Sequence, residues 1–309
     1  MIVSCQSLSR TTFGSHKACC YFCGCWISHI DRHWESQHPN EPEVVELKSQ
    51  NNNASRLQCF RRLRNLGLHR HNVNVLKKGR GQFVVARYRK GSKPEDFAPC
   101  EYCWAYTLKT NYGRHHCKFA NEIEQRVGRY GSYDAQFLMP TERNFYEQVG
   151  EVLVEMKDDN VKLVAESDPL ISEYVAKLLA VKYLHSTILL KVHLLARFLL
   201  EIRKLTSLSS TTLRECISSN NFQRCVLAVK SVGGFDPETS TYQNLTHAVN
   251  IRNILKQLSK LLKRDAMEKE DKDAVKDAER FVQLCASEWK SLKALPGEVY
   301  ADVVEPDSD

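Results

Sequence analysis

The sequence lacks the long apolar segments that membrane-spanning and secreted proteins contain. Its first ten residues, MIVSCQSLSR, include no apolar core of a signal peptide, so we expect no secretion. The most apolar stretch, from Ile188 to Ile202, is interrupted by Lys191, His193 and Arg197, whereas a membrane-spanning helix needs about 20 apolar residues. We therefore expect a soluble intracellular protein without a membrane partner.

Acidic residues are absent between Glu46 and Glu95, a stretch that contains 13 Lys and Arg residues. The 309 residues carry 44 Lys and Arg against 37 Asp and Glu, a formal charge of +7. Residues 1–130 hold 21 basic and 10 acidic residues, a net of +11, and residues 131–309 hold 23 and 27, a net of −4. Positive charge is therefore concentrated in the first part of the chain.

The apolar fraction of 42% is that of a globular protein and excludes a mostly disordered one.

Cysteine is scarce after residue 117, where Cys216, Cys225 and Cys285 each lie in a helical pattern that predicts a small core residue. The other nine of the twelve cysteines lie at or before Cys117. Because thiols inside the cell stay reduced, clustered Cys and His favour metal sites over disulfides. The alternative is a basic, cysteine-rich region that binds no metal.

A first set of metal ligands is predicted from Cys20, Cys23, His33 and His38. Two thiolates from a tight turn and two imidazoles about one helical turn apart can surround a tetrahedral Zn²⁺. Nine residues separate Cys23 from His33, where a standard finger has about twelve, so the helix begins early or the hairpin is short. Cys19 and Cys25 are additional thiols, which keeps a Cys19–Cys23 pair open as the thiolate pair. His29 is a spare imidazole that we expect to be exposed.

A second set of ligands is predicted after Pro99. Cys100 and Cys103 form a Cys-x2-Cys turn like that of Cys20 and Cys23, and we call each of these two turns a knuckle. His115 can supply a third ligand. Cys117 is only two residues beyond His115, whereas a helix brings residues i and i+4 to one face. Its thiolate can reach the ion only where the helix unwinds after His115. We predict a second zinc site on Cys100, Cys103, His115 and Cys117. The alternatives are His116 or water as the fourth ligand, or a degenerate finger without metal.

The segment 56–93 between the two knuckles is strongly basic, with a strand predicted from Phe83 to Tyr88 after turn glycines at Gly79 and Gly81. A long positive stretch flanked by two zinc modules is typical of a surface that binds a polyanion, because phosphate contacts release counterions. We predict double-stranded DNA as the partner and a nuclear protein. The candidate nucleic-acid-binding residues are Arg61, Arg62, Arg64, Arg70, Lys77, Lys78, Arg80, Arg87, Arg89 and Lys90.

Glycine and proline are scarce after residue 132: glycine occurs only at 150, 233, 234 and 297, and residues 170–236 lack proline. Apolar residues recur with helical period, and Asp168-Pro169 and Asp236-Pro237 each predict an N-cap followed by proline. We find no phosphate-binding loop, nucleophile elbow or paired His-Glu motif, and therefore predict no enzyme. The predicted helices cover residues 145–156, 170–183, 186–205, 211–229, 245–262 and 274–292.

The predicted fold is mainly α. Small N-terminal zinc-finger modules of ββα type, with a basic β-containing linker, precede an all-α helical bundle domain. The predicted domains are 1–53 with the first finger at 19–38, a linker at 54–98, a second finger at 99–131, the helical domain at 132–295 and an acidic, disordered tail at 296–309.

The order of these motifs resembles a group of metazoan, transposon-derived proteins similar to Crypton-type tyrosine recombinases. The resemblance covers roughly residues 18–295 and includes the short gap of the first finger. It rests on Cys20-x2-Cys23…His33-x4-His38, Leu63-Arg-Asn-Leu-Gly67…His71-Asn72…Val75-Leu76…Gly79-x-Gly81, Pro99-Cys100-x2-Cys103…Arg114-His115 and Leu195-Ala-Arg197…Glu201-Ile-Arg203.

The resemblance implies that residues 132–295 are similar to the helical core-binding domain that grips DNA ahead of a recombinase catalytic domain. That catalytic domain carries paired arginines, a histidine and a nucleophilic tyrosine, and we find no match to it in this sequence. The expected function is thus that of a catalytically inactive, zinc-containing DNA-binding protein. The alternative is a zinc-stabilised module that binds protein partners through its helical domain and does not bind DNA.

Overall fold

A computed structural model of the protein describes residues 3–7, 17–120, 134–157 and 159–287. The chain divides into two compact units, Met1–Pro140 and Thr141–Asp309. The described part is mainly helical with a few short strands, as predicted. Within these ranges, no helix combines the length and the apolar character that crossing a membrane requires. The predictions for residues 121–131 and 288–309, including the acidic tail, lie outside the described residues.

The first unit is built from short strands around one long helix. Strands β1 (Val3–Ser7) and β4 (Gly81–Val85) pair in parallel, with Val3 opposite Gly81 and Ser7 opposite Val85. Strand β2 (Ala18–Cys19) pairs antiparallel with β3 (Trp26–Ile27), and β5 (Phe97–Pro99) pairs antiparallel with β6 (Tyr106–Leu108). In chain order the elements are β1 (Val3–Ser7), β2 (Ala18–Cys19), β3 (Trp26–Ile27), α1 (Ile30–Gln37), α2 (Pro42–Ser49), α3 (Asn53–Lys78), β4 (Gly81–Val85), β5 (Phe97–Pro99) and β6 (Tyr106–Leu108).

Helix α3 occupies most of the segment for which the sequence predicts a linker. Asn52 accepts a hydrogen bond from the Ala54 amide (2.8 Å) at its start, and Gly79 ends it in the left-handed conformation at φ 61°. Residues 54–78 are therefore a helix rather than a linker. Sequence periodicity does not reveal it because the buried residues include the unbroken run from Leu66 to His69, so no single apolar stripe forms.

The β4 strand confirms the predicted strand as far as Val85, and Tyr88 lies beyond its end. The boundary between the units also differs from the prediction, which placed it at residue 132. Met139 packs in a cluster with Phe83 and Tyr106, and its sulfur accepts a hydrogen bond from the Tyr106 hydroxyl (3.3 Å). Residues 134–140 consequently belong to the first unit.

The second unit is organised around α8 (His185–Thr206). This helix contacts α6 (Asn160–Ser167), α7 (Pro169–Ala180), α10 (Phe222–Gly233) and α11 (Leu245–Glu268). Ile188, Val192 and Leu195 of this helix are fully buried. In chain order the elements are α4 (Arg143–Glu147), α5 (Val149–Val154), α6 (Asn160–Ser167), α7 (Pro169–Ala180), α8 (His185–Thr206), α9 (Leu213–Cys216), α10 (Phe222–Gly233), β7 (Phe235–Asp236), β8 (Thr241–Tyr242), α11 (Leu245–Glu268) and α12 (Lys272–Ser287).

The two predicted Asp-Pro helix starts have different outcomes. Asp168 caps α7 as predicted, because its carboxylate accepts hydrogen bonds from the amides of Leu170 and Ile171. The prediction for Asp236 is wrong: its carboxylate accepts from the Glu238 amide within the β7–β8 hairpin.

Two predicted helices are interrupted, and three predicted core residues are confirmed. The helix predicted at 145–156 is broken at Gln148, between α4 and α5. The helix predicted at 211–229 ends at Cys216 and resumes as α10 at Phe222. The cysteines Cys216, Cys225 and Cys285 are all buried.

Candidate metal centres and basic surface

The first candidate metal centre brings together the four predicted ligands Cys20, Cys23, His33 and His38. Their ligand atoms all lie within 4.8 Å of one another. The Sγ atom of Cys23 lies 3.4 Å from Nε2 of His33. A tetrahedral ion with Zn–S near 2.3 Å and Zn–N near 2.0 Å sets its ligand atoms roughly 3.3–3.8 Å apart, so the cluster is close to the dimensions of a zinc site.

Local folding explains how the nine-residue gap is spanned. Strands β2 and β3 have only two residues each, and α1 begins at Ile30, so His33 lies in its first turn. The Cys20 amide donates to the Cys25 carbonyl (2.8 Å), and the Gly24 amide donates to the Cys20 carbonyl (2.9 Å), which closes the knuckle. Both proposed ways of shortening the finger, an early helix and a short hairpin, are thus used.

The spare donors near the first centre lie outside the cluster. The Sγ atom of Cys19 contacts the Gly24 carbonyl at 3.5 Å, and burial raises the pKa of Cys19 to about 11. Cys25 and His29 are exposed, and neither belongs to the cluster of converging ligand atoms. The Cys19–Cys23 pair is therefore not the thiolate pair of this centre.

An orphaned nitrogen fits a metal at the first centre. The Nε2 atom of His38 is buried and has no hydrogen-bond partner among the described residues. A buried polar nitrogen without a partner costs free energy unless something else binds it. Burial, followed by the neighbouring His38, lowers the pKa of His33, which favours the neutral imidazole that binds a metal.

The second candidate centre brings together Cys100, Cys103, His115 and Cys117, whose ligand atoms also lie within 4.8 Å of one another. The Sγ atom of Cys103 lies 3.2 Å from Nε2 of His115. A 3₁₀ helix over Lys109–Arg114 ends before His115, whose backbone is extended (φ −79°, ψ 105°). The helix therefore unwinds where the sequence requires it to, and Cys117 is the fourth member of the cluster.

The two knuckles have the same backbone hydrogen bonds. At the second, the Cys100 amide donates to the Ala105 carbonyl (2.9 Å) and the Trp104 amide to the Cys100 carbonyl (2.8 Å). Trp104 has φ 60°, the conformation that Gly24 adopts at the first knuckle with φ 73°. His116, the alternative ligand, is exposed and lies outside the cluster.

The pKa values of two side chains of the second cluster, Cys117 and His115, are shifted in opposite directions. Hydrogen bonds with the side chains of Cys100 and Cys103 hold the pKa of Cys117 far below its usual range. Hydrogen bonds with Cys103 and Cys117 raise the pKa of His115 to about 10. One thiolate therefore forms readily among the crowded sulfur atoms, and thiolates are the form of cysteine that binds a metal.

Helix α3 supports the first knuckle from behind. The Nη1 atom of Arg70 donates to the carbonyl oxygens of Tyr21 and Phe22, the second at 2.9 Å, and both residues lie between the two cysteine ligands. Gly67 approaches strand β2 so closely that a Cβ atom there would lie 1.9 Å from the Cys19 carbonyl oxygen.

The same helix supports the second knuckle. The Nε atom of Arg62 donates to the Tyr102 carbonyl (3.1 Å), and the amide of Asn65 donates to the Cys103 carbonyl (2.9 Å). The guanidinium of Arg62 also lies over the ring of Phe119, 5.8 Å from its centroid. One helix thus contacts both candidate metal centres.

Replacing Arg70 with methionine is expected to weaken metal binding at the first centre about tenfold or more. Methionine keeps much of the apolar stem but removes the donor to the Tyr21 and Phe22 carbonyls. A competition titration with a chromophoric chelator measures the affinity. The control is Arg61→Met, because Arg61 is an exposed cation of the same helix. Equal affinities in the wild type and Arg70→Met would show that the knuckle forms without α3.

The ten predicted nucleic-acid-binding residues separate into two groups. Arg62 and Arg70 are half-buried donors to the knuckles, and Arg64 is half-buried with an Nε atom that has no hydrogen-bond partner among the described residues. We define the other seven as the basic surface, since all are exposed: Arg61, Lys77, Lys78, Arg80, Arg87, Arg89 and Lys90. The sequence alone does not distinguish Arg62 and Arg70, which support the knuckles, from the exposed cations.

Comparison of the chain with protein-family models, with curated proteins and with solved structures gave no match. A functional assignment must therefore be based on the geometry of the side chains. It supports two Cys/His clusters able to hold a metal ion, and a group of exposed cations between them in sequence.

Proposed function

We propose that the two clusters are structural zinc sites. Cys₂His₂ and Cys₃His are donor sets of structural zinc, which closes its tetrahedral shell with protein ligands and leaves no position for substrate. Cys20, Cys23, His33 and His38 would hold one ion, and Cys100, Cys103, His115 and Cys117 the other. The ion would supply folding free energy to two modules whose strands have only two or three residues.

We further propose that the protein is a catalytically inactive DNA-binding protein that acts in the nucleus. The observation that carries this proposal is the basic surface, whose cations are exposed in a stretch without acidic residues. Lys77 and Lys78 end α3, Arg80 precedes β4, and Arg87, Arg89 and Lys90 follow β4. Helix α3 contacts both knuckles, so the ions would fix the elements that carry these cations.

Double-stranded DNA is the partner that we propose for the basic surface, and the transposon-derived ancestry suggested by the motif order stays a prediction. Phosphate contacts by cations release counterions, so binding should fall steeply with salt. Six contacts would give a slope of about −5 for the logarithm of the binding constant against the logarithm of the salt concentration. No binding at 50 mM salt would contradict the proposal.

Replacing Arg87, Arg89 and Lys90 together with glutamine is expected to reduce the steepness of that slope by about 3, because each phosphate that is no longer neutralised accounts for about one unit. Fluorescence anisotropy with a labelled duplex at several salt concentrations measures the slope. The control triple variant replaces the exposed cations Lys269, Lys276 and Arg280 of the second unit. An equal change in both variants would mean that only net charge matters.

A second candidate function is protein binding through the helical unit. Several large apolar side chains of this unit are exposed, with Val154 at 69%. This alternative predicts that purified protein shows no affinity for DNA at low salt. Among the described residues of this unit, the other exposed large hydrophobic side chains are Tyr146, Leu163, Leu184, Leu190, Leu205, Leu208 and Leu227.

A further inference from the structure

Trp26 is unusually exposed for a tryptophan. It lies on β3 with 37% of its surface accessible, whereas Trp34 and Trp104 are 0% and 1% exposed. Its ring meets the ring of His71 nearly at right angles (84°), with the centroids 4.8 Å apart. The large apolar surface that a tryptophan usually buries is therefore only partly buried at Trp26.

His71 of α3 contacts this indole, and exposed polar and cationic residues lie on the same helix and directly before β4. His71 lies on α3, and its Nε2 donates to the Gln82 carbonyl on β4 at 2.9 Å. Asn74 and Lys78 follow His71 at i+3 and i+7, so the three residues lie along one face of α3, and the later two are exposed. Arg80, also exposed, lies directly before β4.

An exposed aromatic ring together with cations on neighbouring elements is an arrangement with which proteins bind unpaired bases. The ring stacks on the base, and the cations neutralise the neighbouring phosphates. A base within a duplex is already stacked on both faces and is not accessible to a side chain in this way. We infer that Trp26 is a stacking site for an unpaired nucleobase, so that the protein binds DNA with an unpaired base more tightly than fully paired DNA. This inference rests on the proposed DNA binding.

The first metal centre would control this site. Trp26 lies three residues after the ligand Cys23, and its strand ends before α1 delivers His33. The hairpin that presents the indole is therefore closed by ligands on both sides. Removing the ion should abolish the preference for an unpaired base together with the fold of the hairpin.

The test compares two DNAs with the same number of phosphates, a blunt duplex and a duplex with a short thymidine overhang. Wild-type protein is expected to bind the overhang DNA about 5- to 150-fold more tightly, the range that corresponds to stacking on one base. Trp26→Leu should bind both DNAs equally, and Trp26→Phe should keep part of the preference. Tyr146→Leu is the control, since Tyr146 is an exposed aromatic residue of the second unit.

Zinc content and tryptophan emission accompany the titrations. Zinc content shows whether each Trp26 variant folds, and Trp26→Phe keeps the test valid if the leucine variant does not. Overhang DNA should quench wild-type emission more than that of Trp26→Leu. Equal affinity of the wild type for both DNAs, or an unchanged preference in the Trp26 variants, would overturn the stacking site but not the proposed function. Failure of the wild type and every variant to bind any DNA would overturn the proposed function.

Discussion

Zinc content is expected to fall from two equivalents to one when Cys20 and Cys23 are both replaced with serine. The two imidazoles that are left cannot hold a structural ion that needs four ligands. Binding of a structural zinc ion is worth about 10–16 kcal/mol in finger peptides, so its loss should unfold the first module. Elemental analysis of the purified protein gives the metal count.

The matched control for this variant is Cys25→Ser. Cys25 is exposed and adjacent to the knuckle, but its sulfur is not part of the cluster. It should retain two equivalents of zinc and the stability of the wild type. Equal zinc in the wild type and in the Cys20→Ser/Cys23→Ser variant would contradict the first centre. Loss of both ions in that variant would instead show that the two centres depend on each other, for which α3 offers the physical connection.

The metal-ligand clusters could be predicted from sequence because their information is local. A Cys-x2-Cys turn and a histidine pair on a short helix are fixed by spacing and by the donor types that zinc prefers. The fourth ligand of the second cluster was harder to predict, since Cys117 can join only if the chain leaves the helix after His115. That event depends on the conformation of a few residues, which spacing leaves open.

Helix α3 shows where sequence reasoning fails. Its central residues are buried on several sides, so its pattern lacks the stripe that marks an amphipathic helix. The sequence predicts that Arg62 and Arg70 bind nucleic acid, because it shows that a residue is charged but not which backbone carbonyls it contacts. Only tertiary contacts distinguish a guanidinium that supports a backbone carbonyl from one that faces solvent.

The helical unit was more predictable because its helices bury apolar faces of the ordinary kind. The stripe of α11 is confirmed by the full burial of Ala248, Ile251 and Leu255. The prediction for this unit is wrong where the chain reverses at Asp236. An Asp-Pro pair begins a hairpin turn there, whereas the Asp-Pro pair at Asp168 caps α7. The carboxylate binds the amides that follow it in both cases, so the local signal is the same.

Replacing Gly67 with alanine is expected to destabilise the first unit by about 2 kcal/mol. The added Cβ would lie 1.9 Å from the Cys19 carbonyl oxygen, and that oxygen is backbone, so α3 and β2 must move apart. Overpacking of this severity costs about 3 kcal/mol, the upper end of its usual range. Alanine regains about 1 kcal/mol because it favours a helix more than glycine does. The steric cost is the larger of the two, so we expect a net loss of stability.

Gly150→Ala should have the opposite sign and is therefore the matched control for Gly67→Ala. Gly150 is also helical, but its Cβ would meet no atom within 4 Å, so only the helix preference of alanine remains, about 0.5–1 kcal/mol of stabilisation. Urea unfolding measures both variants. A chelator titration should also show weaker metal binding at the first centre in Gly67→Ala, since Cys19 directly precedes the ligand Cys20. Stabilisation by both substitutions would mean that α3 does not contact β2 as closely as described.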